Sequence, residues 1–147
     1  MRTLEKSIDI AARPEEVWAV LVDFENYSRW NPFIVEAAGE ARAGVELTLR
    51  MRPPGGRPVT VRPRIQSVDR DRRLIWVGRL FVPGLWDVEH VFLLQPMPNG
   101  THLKQSETIR GLLVSPLRRT IARTEKGFAE FNRALKKRVE SSVVAGS

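Results

Sequence analysis

The chain has 147 residues, 42% of them hydrophobic, with 24 basic against 17 acidic side chains and a net charge of +7. That length and apolar content suit one folded domain over residues 1–147 and argue against a disordered chain. The absence of cysteine excludes disulfides and thiolate metal sites, and two histidines, His90 and His102, argue against an imidazole-held metal or a metal cofactor.

The opening "MRTLEKSIDIAARPEE" has no continuous apolar stretch, so neither a signal peptide nor a membrane anchor is read there. A cytoplasmic location without a membrane span is expected. Arg2 to Ile10 alternates, with Leu4, Ile8 and Ile10 on one parity, which predicts a half-buried strand. "ARPEEVWAVLVDF" predicts a helix: Pro14 suits its first turn, Glu15 and Glu16 its positive end, and Val17, Trp18, Val20 and Leu21 its buried side. "NYSRWNP" reads as a short helical turn closed by Asn31-Pro32.

Strands follow. Phe33 to Glu40 is the least regular. Val45 to Arg52 turns Val45, Leu47, Leu49 and Met51 inward, and Val59 to Val68 places Val59, Val61, Pro63 and Ile65 on one side. The proline inside that second run predicts an irregular or edge position. Arg73 to Leu80 alternates around Leu74, Trp76 and Gly78. Gly84 to Leu113 then reads as two strands around the turn "PMPNG".

In "SPLRRTIARTEKGFAEFNRALKKRVESS", Ser115 is placed as N-cap and Pro116 at the first helical position. Leu117, Ile121, Thr124, Phe128, Phe131 and Leu135 step by four and three along one face. Such a helix spans about 38 Å, enough to cross a small sheet. "SSVVAGS" is expected to fray. The order is one strand, two short helices, six strands and one long helix. An α+β fold of about seven antiparallel strands curved around the long helix satisfies it, with the short helices closing one end.

The basic residues fall into two groups. Arg62, Arg64, Arg70, Arg72 and Arg73 lie on strands and their turn with no aromatic residues between them. Arg118, Arg119, Arg123, Lys126, Arg133, Lys136 and Lys137 lie off the apolar stripe of the long helix. Both patterns fit a solvated face and argue against nucleic acid, with a weak anionic partner as the alternative.

This order resembles the START-like, polyketide cyclase/dehydratase and lipid transport superfamily. The residues that carry the likeness are Pro14, Val17, Trp18, Leu21, Trp30, Pro32, Trp76, His90, Phe92, Thr101, Glu107 and Gly111. The resemblance implies a helix-grip fold with a deep, mainly apolar cavity between sheet and helix. It leaves function open, since the family holds lipid and hormone binders, cyclases and chaperone activators.

With "PMPNG" as the turn, His90 falls opposite Glu107, Phe92 opposite Gln105 and Leu94 opposite Leu103. All six then share one face, within side-chain reach across the strands. Val88, Phe92 and Ile109 mark that face as interior, so His90, Gln105 and Glu107 meet there beside Trp76 and Trp86. Either they satisfy one another in a closed core, or they are the convergent polar groups of an apolar pocket. Gln105, with four hydrogen-bonding positions to fill, favours the pocket. Leu49, Met51, Ile65, Thr124 and Phe128 then count as candidate wall, and Trp30 as a lid or an anchor for its turn. A small hydrophobic ligand with one polar end is the expected partner. The alternative is a cyclase- or dehydratase-like enzyme in which Glu107 orients His90 as general base.

Overall fold

A computed structural model describes residues 1–80 and 82–146. β1 (Arg2–Ile10) leads into α1 (Pro14–Leu21) and a 3₁₀ helix (Phe24–Arg29). Seven strands follow: β2 (Ile34–Ala38), β3 (Thr48–Met51), β4 (Val59–Val61), β5 (Arg64–Asp69), β6 (Arg73–Leu80), β7 (Trp86–Met97) and β8 (Gly100–Arg110). The chain closes with α2 (Arg118–Gly146). The strands form two antiparallel sheets, ordered β1-β8-β7-β6-β5 and β2-β3-β4. This is the α+β helix-grip arrangement.

Eight strands stand where about seven were expected, and the reason is Pro63. Proline has no N–H to give to a ladder, so the run from Val59 to Val68 breaks into β4 and β5. The sheets still meet at that corner. Leu47 N donates to Pro63 O at 2.8 Å, and Ile65 N donates to Val45 O at 2.9 Å. Beyond the break, β6 loses its partner: its pairing with β5 ends at Val77, which leaves Gly78 and Arg79 on an open edge.

The long helix differs at both ends from its expected bounds. Ser115 is not the N-cap, because a separate turn comes first, with Leu117 N bonded to Leu113 O at 3.1 Å. The first helical bond runs from Ile121 N to Leu117 O. At the other end the helix continues past Ser142 to Gly146, into the stretch expected to fray, and Val139 packs into the core. Its stripe holds as read: Ile121, Phe128, Phe131 and Leu135 are fully buried. Gly127 has a steric reason, since a Cβ there would fall 2.4 Å from the Phe33 ring.

α2 is clasped to the start of the chain by Glu140. Its Oε2 accepts from Ala11 N at 2.8 Å and from Lys136 Nζ at 2.6 Å, and Lys136 also donates to Asp9 O. The Lys136 bond, then the Ala11 N–H, hold the Glu140 carboxyl below the usual carboxylate range. The side chain is 31% exposed, so Glu140→Gln is expected to cost only about 1 kcal/mol at neutral pH. A lowered folded-state pKa means the stabilisation is complete above the unfolded value near 4.3 and disappears as pH falls through the folded one. Melting curves of the two proteins should therefore differ at neutral pH and converge in acid, once the pH is below the lowered folded-state value. A gap that persisted in acid would show that the clasp does not act through charge.

Candidate functional site

The two-stranded arm β7–β8 sets the polar cluster. His90 pairs with Glu107, Phe92 with Gln105 and Leu94 with Leu103, the register expected from the turn. β6 adds Trp76 directly opposite His90. His90 Nδ1 donates to Glu107 Oε2 at 2.8 Å, and Nε2 meets the Gln105 amide at 2.9 Å. The far end of that amide donates to Asn132 Oδ1 on α2, also at 2.9 Å. A chain of four side chains thus runs from sheet to helix, all of it buried.

Aromatic rings box the imidazole. Trp76 stacks on it at 5.1 Å and 19°, and Phe128 meets it edge-on at 5.0 Å. Whichever way the Gln105 amide is turned, both ring nitrogens are occupied. Glu107 is different. Its Oε1 takes no hydrogen bond among the described residues, and the side chain reaches the wall of a cavity.

That cavity lies between the sheets and α2 and holds about 130 Å³. This is close to the roughly 150 Å³ of an engineered apolar cavity that takes one benzene molecule. Leu49, Met51, Trp76, Trp86, Val88, Thr124 and Phe128 line it together with His90 and Glu107. Thr124 bonds its own helix, donating to Thr120 O at 2.9 Å, and still lines the cavity.

Four of the residues singled out in the sequence do not line it. Trp30 stands 5.1 Å from Tyr27 and 5.7 Å from Phe131, ring to ring, as an anchor and not a lid. Together with Phe24 these rings plug the end covered by the short helices. The Tyr27 hydroxyl donates to Leu21 O, and burial pushes its pKa far above the usual phenol range, so it is a structural donor. Ile65 is sealed in the core at the corner of the sheets. Phe92 is covered by Trp76, His90 and Phe131. Gln105 sits behind His90, and its hydrogen bonds go to His90 and Asn132. Gln105 therefore does not mark the pocket it was expected to favour, because a helix side chain pairs with its amide.

Asn132 was missed, although it lies four residues after Phe128 and three before Leu135, on the helix's buried stripe. The cavity mouth was missed as well. Pro53, Val59, Arg62 and Pro63 come from β4 and its flanking loops, and Gly78 and Arg79 from the open edge of β6. No periodic pattern marks such residues.

A family model described as polyketide cyclase / dehydrase and lipid transport matches residues 1–140. The chain belongs to that family. Solved structures agree on the fold. A START superfamily protein from Mycobacterium smegmatis is 21% identical, with 95% of this chain and 97% of that one covered and a TM-score of 0.76. The ZhuI aromatase/cyclase from a Streptomyces species is 18% identical over 97% and 95%, with a TM-score of 0.78. A protein from Thermus thermophilus is 17% identical over 96% and 99%, with a TM-score of 0.77. A search of curated proteins gives no significant match.

Proposed function

We propose that the family member described here binds a small, mostly apolar molecule whose hydroxyl, phenol or amide N–H donates to Glu107. The observation that carries this reading is the open Glu107 Oε1 in a mostly apolar wall. One carboxylate acceptor in a mostly apolar pocket fixes orientation, while the surrounding rings supply the contact area. A hydrogen bond to a charged group contributes about 1.5–3 kcal/mol, enough to select a ligand with a donor over one without.

The cyclase-like alternative needs His90 as general base. A base must reach the proton it removes, directly or through one water. His90 Nε2 points at Gln105, so its role in this reading is to hold the Glu107 carboxylate in place.

A thermal-shift panel of phenols, hydroxylated polycyclic aromatics, sterol-like alcohols and their deoxy counterparts tests the proposal. Donor-bearing members are expected to stabilise the protein and the deoxy compounds to do so about tenfold more weakly. His90→Gln is expected to weaken binding by tenfold or less, with no rate effect beyond that loss. Equal binding of both sets, or a turnover that collapses about a hundredfold in His90→Gln at intact affinity, would reverse the assignment.

A further inference from the structure

The geometry points to an anionic lipid surface as the docking partner of the cavity mouth. Residues 50–64 and 110–124 carry nine of the chain's 24 basic residues and none of its 17 acidic ones. Both segments border the cavity: Met51, Pro53, Val59 and Arg62 come from the first, Thr120 and Thr124 from the second. They also meet each other, because Arg123 passes 3.7 Å from where a Cβ on Gly55 would stand.

Most arginines around this mouth have no acidic partner among the described residues. Arg57, Arg62, Arg118, Arg119 and Arg123 are exposed and make no ion pair among the described residues. Arg79 pairs with Asp87 at 3.6 Å. Two further acids, Glu46 and Glu89, line an adjoining outer groove together with Arg62, Arg64, Arg79 and Arg110. Arg118 and Arg119 occupy the first turn of α2, where the helix dipole disfavours cations and no acid compensates. The fold gains nothing from charges so placed; an external anion would.

Exposed aliphatic groups stand in the same region. Leu112 is 78% exposed and Val82 61%. Backbone bonds from Leu112 N to Gly84 O and from Leu113 N to Leu85 O, both 3.1 Å, tie their two loops together beside Trp86 of the cavity wall. Val59, 40% exposed, stands on the rim itself. Arginines set around protruding Leu and Val suit a bilayer interface, where the guanidiniums meet phosphates and the aliphatic tips enter the acyl boundary. Nucleic acid would instead call for exposed rings to stack on its bases, and every Phe, Tyr and Trp among the described residues is buried or half-buried. No described helix is long and apolar enough to cross a membrane, so the attachment is peripheral. An apolar ligand could then pass between bilayer and cavity without crossing water.

Co-sedimentation with phosphatidylcholine vesicles, with and without phosphatidylserine, tests this on the full chain. Binding is expected only to the anionic vesicles and should weaken steeply with salt. The Arg118→Ser/Arg119→Ser/Arg123→Ser variant should bind about a hundredfold more weakly, with a melting temperature equal to or above that of the parent. Leu112→Ser should lose several-fold at unchanged charge. Failure to sediment at low salt, or full binding by the triple variant, would overturn the proposal. So would displacement by single-stranded RNA together with an unaffected Leu112→Ser variant, which would assign the surface to nucleic acid. Vesicle binding requires no ligand, so a protein that sediments but shows no response in the thermal-shift panel contradicts the ligand assignment and leaves this one standing.

Discussion

His90→Leu is expected to lower stability by about 3 kcal/mol, or roughly 10 °C in melting temperature for a chain of this size. Leucine fills most of the imidazole's space between Trp76 and Phe128, so lost packing is the smaller part. The larger part is polar. Glu107 Oε2 loses its only described donor and the Gln105 amide loses its partner, both in surroundings with few alternatives. A buried charge left without a partner costs more than the intact pair contributes. The double variant His90→Leu/Glu107→Leu removes the orphaned carboxylate and should cost less than the sum of the two single changes. Urea unfolding with unchanged m-values would measure it. Additive costs within about 0.5 kcal/mol would show that the pair is uncoupled and that His90 acts only by filling space.

Thr124→Phe is expected to abolish ligand binding, by a hundredfold or more, in a protein that still folds. Thr124 stands on the cavity wall one helical turn before Phe128, and its hydroxyl is bonded only to the Thr120 carbonyl. A phenyl ring there projects into a space of about 130 Å³ and takes a large share of it. Filling an existing void adds apolar contact without removing a needed hydrogen bond, so stability should hold within about 1 kcal/mol of the parent. Titration calorimetry with the best compound from the thermal-shift panel, together with a melting curve, gives both readings. Parent-like affinity in a folded Thr124→Phe protein would place the ligand somewhere other than this cavity.

The parts of this protein legible in its sequence are those governed by a short repeat. Alternation along Arg2–Ile10 and the step of four and three along α2 each state which face is buried, because strand and helix periods are fixed by backbone geometry. The β7–β8 register was legible too. Placing "PMPNG" in the turn sets Gln95 opposite His102, and counting back along both strands from there brings His90 to Glu107, with Phe92, Leu94, Leu103 and Ile109 on the same side.

Tertiary structure decided what surrounds those residues. Whether Gln105 needs a cavity depends on Asn132, which stands 27 positions away on another element and whose approach no local pattern encodes. Trp30 became an anchor because Phe131 arrives from the far end of the chain to meet it. The mouth exists because Pro63 breaks one strand and leaves the edge of a different one open at Gly78 and Arg79. Its charge has the same origin. Arginines that read as scattered solvent-facing residues along two distant segments converge on one rim when α2 lies across the β3–β4 loop. Periodicity reports which way a side chain faces; only packing of remote segments determines what it meets there.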